Sequence, residues 1–306
     1  MVKVFGHLSP DTDATTAAIV WSWYLNEHTA SEATPYVLGE LNSETSFVLK
    51  RFGFSVPEIL PTLTPGESVV VVDTNNPQEL PANINEMNLL ALIDHHKLVG
   101  GLTTETPTEI TIKPLACTAT IMHDIMTAQG IAIPSNIAGL MLSAILSDTL
   151  GFRSPTTTPH DKDVAEKIAA ELSIDVAAYA NEMFTAKSDI SSFTDTGLIK
   201  LDSKKFNVGD KNFRVSVIET TNVDTVLARK VGIVEAIRNC VAEESDIDDI
   251  LFFIIDILSE NATVFTYNDL TKQVIAASFG VAVEADTEIL PGILSRKKQI
   301  LPALKL

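Results

Sequence analysis

Residues 68–72, Ser-Val-Val-Val-Val, run straight into Asp73, and residues 89–93, Leu-Leu-Ala-Leu-Ile, run straight into Asp94-His95-His96. A continuous apolar strand without polar alternates is covered on both faces, the pattern of a parallel sheet between layers of helices. In such sheets ligands bind outside the carboxyl ends of the strands. Acids and imidazoles at those ends are therefore the first candidates for chemistry.

The amino terminus repeats the arrangement. Val2 to Phe5 is a short apolar strand, and Gly6 and Pro10 turn the backbone where His7, Asp11 and Asp13 arrive. An imidazole and two carboxylates on one loop suit a hard or borderline divalent cation such as Mn2+, and no thiolate on the loop selects Zn2+ or Cu+. Asp13 also stands directly ahead of the helical pattern Ala14–Glu27, so it reads equally as a helix cap.

Strands and helices then alternate. The sequence predicts strands at 36–38 and 110–112, and helices at 46–52, 117–129, 136–146 (capped by Ser135) and 161–172, with residues 176–184 ending the α/β pattern. The helix before Ser147-Asp148 delivers an acid at its carboxyl end, where the macrodipole disfavours negative charge and a partner cation is expected. Serine-rich residues 186–193 read as a linker. Beyond it the pattern predicts strands at 206–207, 213–219, 249–259, 262–267 and 273–279, a helix over 224–243, and a hairpin turn at Glu260-Asn261. The expected fold is α/β: an N-terminal parallel-sheet domain over 1–187, a hinge linker at 188–193, and a smaller C-terminal α+β domain with a mixed sheet over 194–306. A length of 306 residues agrees with two domains.

Charge narrows the function. With 22 Lys and Arg against 40 Asp and Glu, the net charge of -18 disfavours a nonspecific hold on nucleic acid. A small phosphate ligand remains compatible if cations are concentrated locally or borrowed from bound metal. No segment reaches the roughly 18 uninterrupted apolar residues of a membrane span, and no signal-type segment opens the chain, so a cytoplasmic protein is expected. Cys117 and Cys240 read as buried small hydrophobes, and His28, His123 and His160 as surface or structural residues.

A parallel sheet would bring His7, Asp11, Asp13, Asp73, His95, His96 and Asp148 to one edge. Carboxylates so crowded repel unless cations sit among them. Two divalent ions with a bridging Asp and an oxygen nucleophile between them favour phosphoryl hydrolysis.

His7-Leu8-Ser9-Pro10-Asp11-Thr12-Asp13, Asp73, Asp94-His95-His96 and Ser147-Asp148 together resemble the four motifs of the DHH phosphoesterase superfamily. Asp202-Ser203-Lys204-Lys205-Phe206 and Ser295-Arg296-Lys297-Lys298-Gln299 resemble segments of its manganese-dependent, family II inorganic pyrophosphatases, whose second domain is of the DHHA2 type. The resemblance spans essentially the whole chain. The glycine-rich motif of the nuclease branch is absent after residue 190.

The resemblance implies hydrolysis of pyrophosphate to two orthophosphates by a metal-bridged hydroxide, in a cleft between the domains. His7 and Asp11 would hold one Mn2+ and Asp13 and His95 another, with Asp73 and Asp148 shared, Co2+ a substitute, and Mg2+ accompanying the substrate. His96 would donate a proton to the leaving phosphate, oriented by Asp94. Lys204, Arg296 and Lys297 would grip the phosphates, with Lys204 preferred over adjacent Lys205. A homodimer through an edge strand of the N-terminal domain is implied as well. An exopolyphosphatase or small-nucleotide phosphodiesterase is the competing enzyme reading, and a noncatalytic metal or nucleotide sensor the competing class.

Overall fold

A computed structural model of the chain describes residues 1–296 and 299–306. Lys297, expected to bind phosphate, lies outside the described residues. The chain divides into two compact units, Met1–Ala186 and Lys187–Leu306.

The N-terminal unit is built on six strands: β1 (Val2–Phe5), β2 (Ala33–Val37), β3 (Glu58–Ile59), β4 (Ser68–Val72), β5 (Asn88–Asp94) and β6 (Glu109–Ile112). They lie in the order β3-β2-β1-β4-β5-β6, every neighbouring pair parallel. Residues of β4 are buried on both sides, as the valine run requires. Val69 and Val71 join Phe5, Leu92 and Met87 in one apolar cluster, while Val70 and Val72 are buried on the opposite face. The helices are α1 (Thr12–His28), α2 (Ser43–Phe52), α3 (Thr118–Ala128), α4 (Ser135–Asp148), α5 (Pro159–Leu172) and α6 (Val176–Lys187). Ser135 is the first residue of α4 and Pro134 its N-cap, so the expected serine cap is not made. Proline favours the extended conformation that an N-cap needs.

Strand order reverses between β1 and β4. Crossovers from β1 run to one side and those from β4 to the other, which opens a crevice at the carboxyl ends of these two strands. The chain places His7 and Asp73 there.

The C-terminal unit holds a mixed five-stranded sheet of β7 (Ser203–Val208), β8 (Lys211–Thr220), β9 (Asp249–Asp256), β10 (Asn261–Phe265) and β11 (Thr287–Pro291), in the order β11-β10-β9-β8-β7. Only β8 and β9 pair in parallel. Helices α7 (Asp195–Leu201), α8 (Val223–Leu227), α9 (Lys230–Glu243), α10 (Asp269–Phe279) and the short α11 (Leu301–Ala303) pack with it. Two expectations need correction. Residues 273–279 are the end of α10 and not a strand: Asn268 and Thr271 form a reciprocal capping box, Gly280 closes the helix at φ 68, and buried Thr271, Val274 and Ile275 share one helical face. The expected single helix over 224–243 is two, parted at Ala228-Arg229.

Residues 188–193 are fastened to the C-terminal unit. The Ser188 hydroxyl accepts from Thr221 N and Thr220 Oγ1. Arg229 donates to the carbonyls of Ile190 and Phe193, each at 2.8 Å.

Candidate metal centre

The site begins with a close approach. A Cβ on Gly6 would lie 2.7 Å from Ala14 Cβ and 3.0 Å from its Cα, so only glycine lets β1 end against the first turn of α1. His7 follows. Asp11 is the N-cap of α1, its Oδ1 accepting from Ala14 N at 3.0 Å and its Oδ2 lying 3.6 Å from His7 Nε2. The capping role considered for Asp13 thus belongs to Asp11. Asp13 sits inside the first turn, fully buried, and its Oδ2 accepts from Thr118 N at 2.7 Å.

At the end of β4, Asp73 has φ 59, a left-handed conformation that aspartate adopts more readily than most residues. Its Oδ2 lies 3.5 Å from His7 Nε2 and its Oδ1 3.2 Å from His95 Nε2. Thr118 Oγ1 donates to the same Oδ1 at 3.0 Å. After β5, the Leu115 carbonyl accepts from His95 Nδ1 at 3.1 Å, which leaves Nε2 facing Asp73 and, at 3.9 Å, Asp148 Oδ2. The His96 ring lies tilted at 47° against that of His95, with centroids 4.2 Å apart. Asp148 is the last residue of α4.

Three sets of side chains have ligand atoms within 4.8 Å of one another: His7, Asp11 and Asp73; Asp73, His95 and His96; Asp13, Cys117 and Asp148. All seven His and Asp residues expected from the sequence therefore meet at one place. Asp11, Asp73, His95, His96 and Asp148 border a cleft of about 380 Å³ whose lining also includes Lys97 and Thr156. The sequence did not reveal Cys117 as a neighbour of the acids, because its place depends on where α3 begins. Burial, then the charges of Asp13, Asp148 and Asp73, push its thiol well above the ordinary range, so it stays protonated beside them.

Electrostatics show what the acids lack. Burial and then the Asp73 and Asp11 charges raise Asp13 to about 8. Burial and then the charges of Asp13 and Asp73 push Asp148 well above its usual value. Asp73 goes the other way: burial alone would raise it, but the hydrogen bonds and charges of His7 and His95 hold it below the usual carboxylate range. Burial lowers His7, yet Asp11 and Asp73 outweigh that and raise it to about 11. His95 likewise rises to about 9, burial opposing and Asp73 and Asp13 favouring the cation. Asp13 Oδ1 and Asp148 Oδ2 are buried with no hydrogen-bond donor among the described residues. Buried carboxylates facing one another without donors need protons or cations. Oxygen and imidazole donors of this kind fit Mn2+.

The expected phosphate ligands belong to the C-terminal unit. Lys204 is exposed on β7 and has no ion-pair partner among the described residues. Lys205 is held by Asp246 at 2.6 Å and Glu244 at 3.2 Å. Arg296 pairs with Asp202 Oδ1 at 2.7 Å, and its Nη1 is buried without a hydrogen-bond partner among the described residues.

Comparison with known proteins gives a consistent result. Residues 1–145 match the DHH family, N-terminal domain, and residues 181–306 match the DHHA2 domain. The chain is 40% identical to a probable manganese-dependent inorganic pyrophosphatase of Deinococcus radiodurans, over 100% of this chain and 98% of that protein. It is 36% identical to a protein of the same description from Bacillus licheniformis, over 99% and 97%. Among solved structures, a Methanococcus jannaschii protein assigned to the family II inorganic pyrophosphatases superposes with a TM-score of 0.64 at 33% identity, covering 99% of this chain and 98% of that one.

Proposed function

This chain belongs to the family of manganese-dependent inorganic pyrophosphatases, and we infer that it hydrolyses pyrophosphate to two orthophosphates at the His and Asp cluster of its N-terminal unit. The observation that carries the reading is the pair of donorless buried carboxylate oxygens, on Asp13 and Asp148, in a chain related end to end to such enzymes.

We assign His7 and Asp11 to one cation, Asp13 and His95 to a second, and Asp73 and Asp148 to both. Two Mn2+ ions, with Co2+ as a substitute, would supply neutralising charge for the phosphoryl oxygens and acidify the attacking water. His96 is the proton donor to the leaving phosphate. Asp94 Oδ1 accepts from its Nδ1 at 2.9 Å, which leaves Nε2 for the substrate. Lys204, Arg296 and Lys297 bind the phosphates, which reach the enzyme with Mg2+. Arg296 would exchange its bond to Asp202 for a bidentate grip on phosphate oxygens.

The domain division at 1–187, 188–193 and 194–306 goes with this reading. Because Ser188, Ile190 and Phe193 are tied to the C-terminal unit, bending is assigned to the N-terminal edge of the connecting stretch. No helix among the described residues is long and apolar enough to cross a membrane. The reading takes the enzyme as cytoplasmic, independent of nucleic acid and membrane, and homodimeric through an N-terminal edge strand. Strand β6 has one free edge, and Ile110 on it is 59% exposed.

Phosphate release from pyrophosphate, tripolyphosphate and a dinucleotide, with Mn2+ added or chelated, tests the function. Mn2+-dependent turnover that favours pyrophosphate is the expected result. Preference for either other substrate, or turnover indifferent to chelation, would overturn it.

A further inference from the structure

We propose that Thr118 is a positioning residue that ties the two cation subsites together, by donating from one residue to both Asp13 and Asp73. The inference rests on the reading of those two acids as metal ligands.

Helix α3 starts with backbone N–H groups that no earlier turn can satisfy. Its N-cap is Cys117, whose side chain makes no capping bond. The N–H of Thr118 is taken instead by Asp13 Oδ2, from a residue 105 positions away. The Thr118 hydroxyl is committed separately, to Asp73 Oδ1. Thr118 and Asp13 are fully buried and Asp73 is 2% exposed, so bulk water does not compete for these bonds. One residue with two donors in a fixed relation thus sets the separation of two acids carried by α1 and β4.

The same bonds choose which oxygens remain for a cation. With Oδ2 of Asp13 held by Thr118, Oδ1 is the atom left without a donor. At Asp73, Oδ1 takes the Thr118 bond while also lying 3.2 Å from His95 Nε2, and Oδ2 is turned toward His7, so one oxygen faces each subsite. The partial positive charge of the α3 N-terminus also favours both anions before any cation arrives. Groups that orient metal ligands in this way govern affinity about as strongly as weak ligands do, typically by roughly 10- to 100-fold.

The test uses the intact chain and Mn2+ alone. Thr118→Val removes the hydroxyl but keeps the backbone N–H, and Thr118→Ser keeps both donors. Mn2+ affinity is measured by titration with electron paramagnetic resonance, which also reads spin coupling between paired ions. T118V is expected to bind Mn2+ about 10-fold or more weakly and to lose spin coupling at saturation, while T118S retains wild-type affinity and coupling. If T118V does not fold, Thr118→Ala removes the same hydroxyl without setting a methyl group against Asp73. Wild-type affinity and coupling in the hydroxyl-free variant would overturn the role of Thr118 alone. A wild-type chain that takes up no Mn2+ would overturn the metal assignment and this inference with it.

Discussion

Asp94 holds His96 twice, its Oδ1 accepting from the backbone N at 3.0 Å and from Nδ1 at 2.9 Å. Its other oxygen accepts from Asn75 Nδ2 at 2.5 Å, and Asn75 also receives Val99 N at 2.7 Å and donates to the Lys97 carbonyl at 3.0 Å. A carboxylate so arranged fixes both the tautomer and the tilt of the imidazole. Asp94→Asn keeps the shape and weakens that control. Turnover on pyrophosphate should fall by about 10- to 100-fold in metal-saturated protein with unchanged Mn2+ content; unchanged turnover would remove Asp94 from the orienting role. At this scale the sequence discloses residues whose neighbours in the chain announce them, such as Asp94 before two histidines. It conceals Asn75 and Thr118, whose partners come from the left-handed turn at Asp73 and from the starting point of α3.

The strand ends were legible because an uninterrupted apolar strand calls for burial on both faces, met by Val69–Val72 and by residues 89–93 except Leu90, which is 40% exposed, and the residue that ends it must emerge at the sheet edge. The run over 273–279 misled because Val274, Ile275 and Phe279 favour strands by composition. The capping box and terminal glycine override that preference locally. The junction of β1 with α1 is the element on which the site is most dependent. Gly6→Ala would press a methyl group against Ala14 backbone atoms at 3.0 and 3.1 Å, which side-chain rotation cannot relieve. The strand must then move away from the helix, and His7 moves with it relative to Asp11 and Asp13. G6A should lose about 1–3 kcal/mol of stability by urea unfolding and bind Mn2+ more weakly. Wild-type values for both would show that the junction has slack.

For the whole molecule, the division of labour was visible as a change of pattern near residue 190, whereas the parallel pairing of β8 with β9 was not, since pairing partners leave no mark on either strand. Stability across pH is also a property of the whole chain, and one buried group gives it a separable component. His123 on α3 is 7% exposed, and its Nδ1 has no hydrogen-bond partner among the described residues. Burial lowers its pKa, Lys167 and His160 lower it further, and Asp124 and Glu171 oppose without prevailing. The unfolded chain, with histidine near 6.5, therefore takes up the proton first as pH falls. Between that value and the lower folded one, the unfolded state binds more protons and stability declines with acidity; below both, this contribution is constant. Asp124 works in a separate, more acid window. Burial would raise its carboxyl, but the His160 and Lys113 bonds hold it low, and its contribution is lost only as pH falls through the carboxylate range. His123→Gln removes the first component and leaves the second. Melting temperatures of the metal-free wild type and H123Q at pH 7.5 and 5 should show the wild type losing more on acidification. An equal loss in both would mean that His123 takes up its proton as readily folded as unfolded.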